Sequence, residues 1–142
     1  MTTACFDSSA FVKLLVDEAG SDVAEQLWNQ ADVVTASRLA WPEVSGALSA
    51  ARRAKRLDVA SERTARREWT RFWAAVDVVE LTPRIAADAA NLARRQVLGG
   101  ADAVHLACAR ALSTSDLVLV SWDRRLAVAA LDAGLSVAPG GS

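Results

Sequence analysis

Apolar positions along this chain alternate between short strand-like runs and longer runs that recur every three or four residues. Thr3 to Phe6 predicts a first strand. Ser8 to Val16 then takes helical spacing, with Phe11, Leu14 and Leu15 on one face. Ser21 to Trp28 predicts a short helix capped by Ser21, and Asp32 to Thr35 a short strand. The pattern from Ser37 to about Ala54 is helical again. Pro42 there either occupies the first turn, where its missing N–H is not needed, or kinks a helix capped by Ser37. Asp58 to Ala74 predicts a further helix with Trp69 and Trp73 on one side.

Asp77 to Leu81 is β-like. Thr82-Pro83 reads as an N-cap followed by proline at the first helical position, and Ile85, Ala89 and Leu92 keep the helical period to about Leu98. Gly99-Gly100 ends that helix. Ala101 to Leu112 is apolar nearly all round, which predicts a buried helix, and Leu117 to Val120 is a continuous branched run suited to the middle of a parallel sheet. Asp123 to Leu131 is helical, Gly134 ends it, and Leu135 to Val137 makes a last strand. Such alternation predicts an α/β fold, a three-layer α/β/α domain with a small, mainly parallel central sheet. One domain is expected over residues 1–138, with 139–142 as a flexible tail.

Composition narrows the class. Hydrophobic residues make up 52% of the 142, too many for a disordered chain. No apolar run approaches the roughly 20 residues that span a bilayer, and the N-terminus lacks the basic start and apolar stretch of an export signal. A cytoplasmic protein without membrane contact is expected. Cys5 and Cys108 lie in apolar surroundings, which suits free buried thiols. With His105 as the sole histidine and no paired-cysteine spacing, a zinc site is excluded.

Net charge is −1, but its distribution is uneven. Arg52, Arg53, Lys55, Arg56, Arg63, Arg66, Arg67 and Arg71 face only Asp58, Glu62 and Glu68 between positions 52 and 71, so that segment carries +5 and the remainder −6. The segment is a candidate grip for RNA phosphates or an acidic partner, with Arg52, Arg53, Arg56, Arg63 and Arg66 as the residues of interest. A solvated helix face is the alternative, with partner or RNA contact slightly favoured.

Ligands of open parallel sheets bind at the carboxyl ends of the strands. Asp7 follows the first predicted strand, Asp123 follows the strongest one, and Asp102 opens the buried helix. Glu43 lies near the start of a helix among apolar neighbours. Each aspartate alone is well placed to cap a helix. Glu43 resists that explanation, because carboxylates are seldom buried unpaired. Gathered carboxylates repel one another unless a divalent cation joins them, and hard oxygen ligands select magnesium or manganese over zinc. Such a site suits hydrolysis of a phosphodiester.

At these residues the chain resembles the PIN-domain family, and within it the VapC toxins of bacterial type II toxin–antitoxin pairs. The resemblance rests on Phe6-Asp7-Ser8-Ser9-Ala10-Phe11-Val12-Lys13-Leu14, Trp41-Pro42-Glu43-Val44, Gly99-Gly100-Ala101-Asp102-Ala103-Val104-His105-Leu106-Ala107 and Leu119-Val120-Ser121-Trp122-Asp123-Arg124-Arg125-Leu126. It implies that Asp7, Glu43, Asp102 and Asp123 form an acidic quartet holding Mg2+ or Mn2+, with Ser9 and Ser121 orienting ligands or metal-bound water. It further implies an endoribonuclease that cleaves single-stranded RNA, a homodimer, and inhibition by a cognate antitoxin.

Other residues have plainer readings. His105 is expected to be a packed histidine bonded to a carboxylate or to backbone, and Trp69 and Trp73 to pack in the core or a dimer contact. Trp122 is placed at the rim of the cleft. A phosphate-receiver domain is disfavoured because Asp7 stands without a second acid and the only lysines are Lys13 and Lys55. An aspartyl phosphatase would want an aspartate where Ser9 stands. The remaining alternative is a non-catalytic module that binds RNA or protein through residues 52–71, its acids merely capping helices.

Overall fold

A computed structural model describes residues 1–112 and 114–140. Of the expected tail, Gly141 and Ser142 lie outside the described residues. Five strands, β1 (Thr3–Phe6), β2 (Val33–Ser37), β3 (Asp77–Val79), β4 (Leu117–Val120) and β5 (Ser136–Ala138), form one sheet in the order β3-β2-β1-β4-β5. Every pairing is parallel. Seven helices connect them: α1 (Ser8–Leu15), α2 (Ser21–Gln30), α3 (Ala40–Arg53), α4 (Val59–Ala74), α5 (Pro83–Gln96), α6 (Gly100–Ala111) and α7 (Arg124–Asp132).

Strand alternation divides the interior into two cores, one on each face of the sheet. Ala4, Phe6, Val34, Ala36 and Val120 pack against α1, α3 and α4 through Phe11, Val44, Leu48 and Trp69. Cys5, Leu117 and Leu119 point the other way, against α5, α6 and α7 through Leu92, Leu106 and Leu126. The expected three-layer architecture is therefore the observed one. Both cysteines are free and buried. Trp69 belongs to the core, with its ring centroid 4.9 Å from Phe11.

The strand order also locates a crevice. From β1 the chain moves outward through β2 to β3, then returns to the other side of β1 for β4 and β5. The reversal falls between β1 and β4, and the connections leaving their carboxyl ends diverge to opposite faces of the sheet, which is where open parallel sheets hold ligands. Asp7 and Asp123 stand at that point, one residue after β1 and three after β4.

Local details differ from the sequence expectations where long-range contacts decide. Gly20, in the left-handed region at φ 95°, caps α2 in place of Ser21. The Ser21 hydroxyl instead donates to the Val16 carbonyl and accepts from the Glu18 amide. β2 runs on to Ser37 because β3 pairs with its end and Thr35 Oγ1 donates to the Asp77 carbonyl. Pro42 sits in the first turn of α3, while Ser37 Oγ accepts from the Leu39 amide just before the helix. α5 stops earlier than expected, with Val97 as its left-handed cap, and α6 already includes Gly100. Among the described residues no helix is long and apolar enough to cross a membrane.

Phe11 lies 5.2 Å from Phe6 and 4.9 Å from Trp69 between ring centroids and is fully buried. Phe11→Ala is expected to cost about 3–5 kcal/mol of stability, measured by urea denaturation; a loss below about 1 kcal/mol would contradict this account of the core.

Candidate active site

Asp7 leaves the end of β1 in extended conformation and caps α1. Its Oδ1 accepts from the Ala10 amide at 2.9 Å and the Ser9 hydroxyl at 2.7 Å, and its Oδ2 accepts from Ser121 Oγ at 2.5 Å. The residue is only 3% exposed. Burial raises its pKa, and the bonds from Ser121, Ser9 and Ala10 only partly offset that.

Ser121 and Ser9 lace two chain segments together. Ser121 Oγ, while donating to Asp7, accepts from the Asp123 amide at 3.0 Å. Ser9 Oγ, also donating to Asp7, accepts from the Trp122 amide at 2.9 Å. The Ser121 amide is held in turn by the Ala138 carbonyl of β5 at 3.0 Å. The loop 121–123 is thus tied to the start of α1 by hydroxyls that use both donor and acceptor capacity. Trp122 packs beside Gly20, where an added Cβ would lie 2.8 Å from its indole nitrogen. Asp123 caps α7, accepting from the Leu126 amide at 3.1 Å through Oδ1.

Glu43 stands in the first turn of α3, half-buried. One oxygen receives the Ser8 hydroxyl at 2.6 Å and faces His105 Nε2 at 2.6 Å. Partial burial works to raise its pKa, yet the bonds from His105 and Ser8 prevail and the net shift is downward. His105, on α6 and 3% exposed, is the packed, carboxylate-bonded histidine that its position predicted. Ser8 is a partner the sequence reading overlooked. Its adjacency to Asp7 was the available signal.

Asp102, in the first turn of α6, is the carboxyl with least support. Among the described residues it accepts no side-chain or backbone hydrogen bond of the kind that secures the other three. Desolvation, then the field of Asp123, pushes its pKa from 3.8 up to about 6; Asp7 and Glu43 push the same way and His105 opposes. All three other acids therefore act on this one carboxyl. The four predicted positions come to one edge of the sheet, drawn from β1–α1, α3, α6 and β4–α7.

The donor set suits a hard divalent cation: four carboxylates and hydroxyls, no thiolate. Among the described residues, no three His, Cys, Asp or Glu side chains converge closely enough to enclose an ion by themselves. Magnesium commonly keeps several waters and takes only one or two carboxylates directly. Asp7, Glu43, Asp102 and Asp123 are the residues that would hold it.

The basic segment is partly consumed within the fold. Glu62 pairs with Arg66 at 3.0 Å and with Arg52 at 3.5 Å, and Arg56 pairs with Glu18 at 2.8 Å. Arg66 also donates to Ser45 and Ser49, bolting α4 to α3. Arg53 and Arg63 remain exposed.

The profile described as PIN domain matches residues 4–131, and the chain belongs to that family. Within it the chain groups with the VapC proteins. It is 51% identical over 134 residues to Ribonuclease VapC49 of Mycobacterium tuberculosis strain H37Rv, covering 94% of this chain and 93% of the relative. The fold is similar to that of PAE2754 from Pyrobaculum aerophilum, with TM-score 0.71 and 22% identity over 96% of this chain and 90% of the other. A toxin–antitoxin complex from Klebsiella pneumoniae shares the fold at TM-score 0.59 and 21% identity, with 84% of this chain and 86% of that chain covered.

The uncompensated Asp102 has a consequence for stability. A carboxyl whose folded pKa lies above its unfolded value stabilises the fold below the unfolded pKa, and that contribution is lost as pH rises through the folded one. In chelator, the contribution should disappear between 3.8 and about 6. Asp102→Asn should therefore melt higher than the unsubstituted protein at pH 7, with the gap closing by pH 4. Equal melting temperatures at both pH values would contradict a desolvated Asp102 carboxyl in the field of its acidic neighbours.

Proposed function

We propose that this protein is a Mg2+- or Mn2+-dependent endoribonuclease, the toxin of a toxin–antitoxin pair, acting in the cytoplasm. The observation that carries the reading is the gathering of Asp7, Glu43, Asp102 and Asp123 at one edge of the sheet, where burial first and then the neighbouring acids hold the Asp102 carboxyl above its ordinary pKa. Burial of repelling carboxylates without a counter-charge costs stability, and a bound cation removes that cost. The relative named a ribonuclease supports the substrate class.

Each side chain has a distinct task. Asp7, Glu43, Asp102 and Asp123 hold the cation at the carboxyl edge of the sheet. When bound, it would polarise the phosphoryl oxygen and lower the pKa of a coordinated water. Ser9 and Ser121 keep the Asp7 carboxylate in one orientation, and Ser121 also fixes the loop that presents Asp123. Ser8 and His105 do the same for Glu43, leaving its second oxygen for the metal side. Such outer hydrogen bonds hold ligands within the narrow range of geometries that catalysis tolerates.

The same reading includes a cognate antitoxin and a homodimer. A groove of about 710 Å³ between α1, α2 and α4 is the surface assigned to the antitoxin, walled by Leu14, Leu15, Trp28 and Phe72 and rimmed by both signs of charge. Exposed Arg53 and Arg63 on the α3–α4 hairpin, beside Arg52, Arg56 and Arg66, extend the charged surface available to antitoxin or RNA.

The purified chain should cleave RNA with added magnesium or manganese and fall silent in excess EDTA. Asp7→Asn or Asp102→Asn should abolish cleavage with folding retained. Ser121→Ala should reduce cleavage or metal affinity about 10–100-fold, read by gel assay and by calorimetric titration. RNA binding without cleavage under every metal condition would favour the non-catalytic module instead.

A further inference from the structure

The acidic cluster has a neighbour that the quartet does not use. Between the last turn of α5 and the exposed face of α7 lies a cleft of about 370 Å³, lined by Gln96, Val97, Arg124, Arg125, Val128 and Ala129. That volume falls within the range of roughly 300–1,000 Å³ typical of ligand sites. Both walls are close in sequence to the acids: Arg124 and Arg125 follow Asp123, and Val97 precedes Asp102 by five residues.

Three independent features mark the cleft. Arg124 and Arg125 stand exposed in the first turn of α7, just after its Asp123 cap, where the helix dipole disfavours a cation. Neither takes part in an ion pair among the described residues. Val97 is a β-branched residue held at φ 54° while 76% exposed, a strained conformation with no packing reward. Val128 is 66% exposed beside it, giving the cleft a bare apolar floor. Breaches of local rules that cluster in one place are expected at functional surfaces.

Charge distinguishes this cleft from the larger groove. The groove between α1, α2 and α4 carries Asp17, Glu25 and Glu68 against Lys13 and Arg71, and would repel a polyanion. The α5–α7 cleft has two guanidiniums and no acid in its lining. Guanidinium forks match phosphate oxygens, and an apolar floor accepts a sugar or base edge.

We infer that the α5–α7 cleft is the subsite for the RNA strand next to the scissile phosphate, with Arg124 and Arg125 gripping backbone phosphates and Val97 and Val128 supporting the nucleoside between them. This deepens the ribonuclease reading and rests on it. The cleft makes Arg124 and Arg125 RNA-binding residues, with the phosphodiester delivered to the carboxylates by the same strand they flank. It also relieves the 52–71 segment of the main share of RNA contact, since Arg52, Arg56 and Arg66 are already paired within the fold.

The test compares Asp102→Asn with the triple variant that adds Arg124→Gln and Arg125→Gln. A fluorescein-labelled single-stranded RNA 20-mer of mixed sequence serves as the probe, and binding is followed by anisotropy across a salt series. Two lost phosphate contacts on a single strand should lower the slope of log K against log salt by about 1.4. Affinity should fall at least roughly tenfold at low salt. Lysine at both positions should restore most of the slope, and unchanged circular dichroism would show that each variant is folded. An unchanged slope and affinity in the triple variant, with Asp102→Asn binding normally, would overturn the subsite and leave the cleft to a protein contact. Absence of RNA binding by Asp102→Asn itself would overturn the ribonuclease reading along with the subsite.

Discussion

The gathering of four carboxyl groups at one edge of the sheet, with Asp102 desolvated there beside the other three, is the constraint around which this molecule is arranged. A parallel sheet whose order reverses between β1 and β4 leaves an open edge there, and the chain sends acids to it from four separate elements. Three of them are restrained by hydrogen bonds: Asp7 by Ser9, Ala10 and Ser121, Glu43 by Ser8 and His105, Asp123 by the Leu126 amide. The fourth, Asp102, bears the residual repulsion. The proposed cation would supply the counter-charge that this carboxyl lacks within the chain. The two apolar cores supply the rigidity that keeps the acids from drifting apart.

The supporting hydroxyls show how little material the arrangement requires. Ser9 and Ser121 each donate to Asp7 and accept from the backbone of the loop 121–123. One small side chain thereby aligns a carboxylate and a loop at once. An apolar residue at either place would leave a buried acceptor and an amide unpaired, which costs more than the loss of one surface hydrogen bond.

Much of this architecture was legible in the sequence because it depends on local pattern. Strand–helix alternation, the branched run Leu117–Val120 and the Thr82-Pro83 cap fix the layers and the places from which Asp7, Asp102 and Asp123 project. What stayed hidden depends on contacts between distant residues. Ser21 has every local mark of a cap, but its hydroxyl is drawn to Val16 and Glu18, so Gly20 takes the position. Arg56 pairs with Glu18, 38 positions away, and no charge count over residues 52–71 foretells that. Val97 carries no sequence signal for a left-handed conformation, since that region favours glycine. Ser8 and His105 meet across 97 positions around Glu43, so their partnership follows from helices of the two opposite layers reaching the same edge of the sheet rather than from any motif.

The backbone of Ser121 gives the C-terminal strand an influence out of proportion to its length. β5 is an edge strand of three residues without a single acid, yet Ala138 anchors the amide of the serine that aligns Asp7 and Asp123. Edge elements open more readily than central ones. Fraying of this terminal ribbon would loosen Ser121, and with it Asp7 and Asp123, while both cores stayed intact, so at the proposed metal site affinity for a cation would depend on the zipping of a strand that lies outside it.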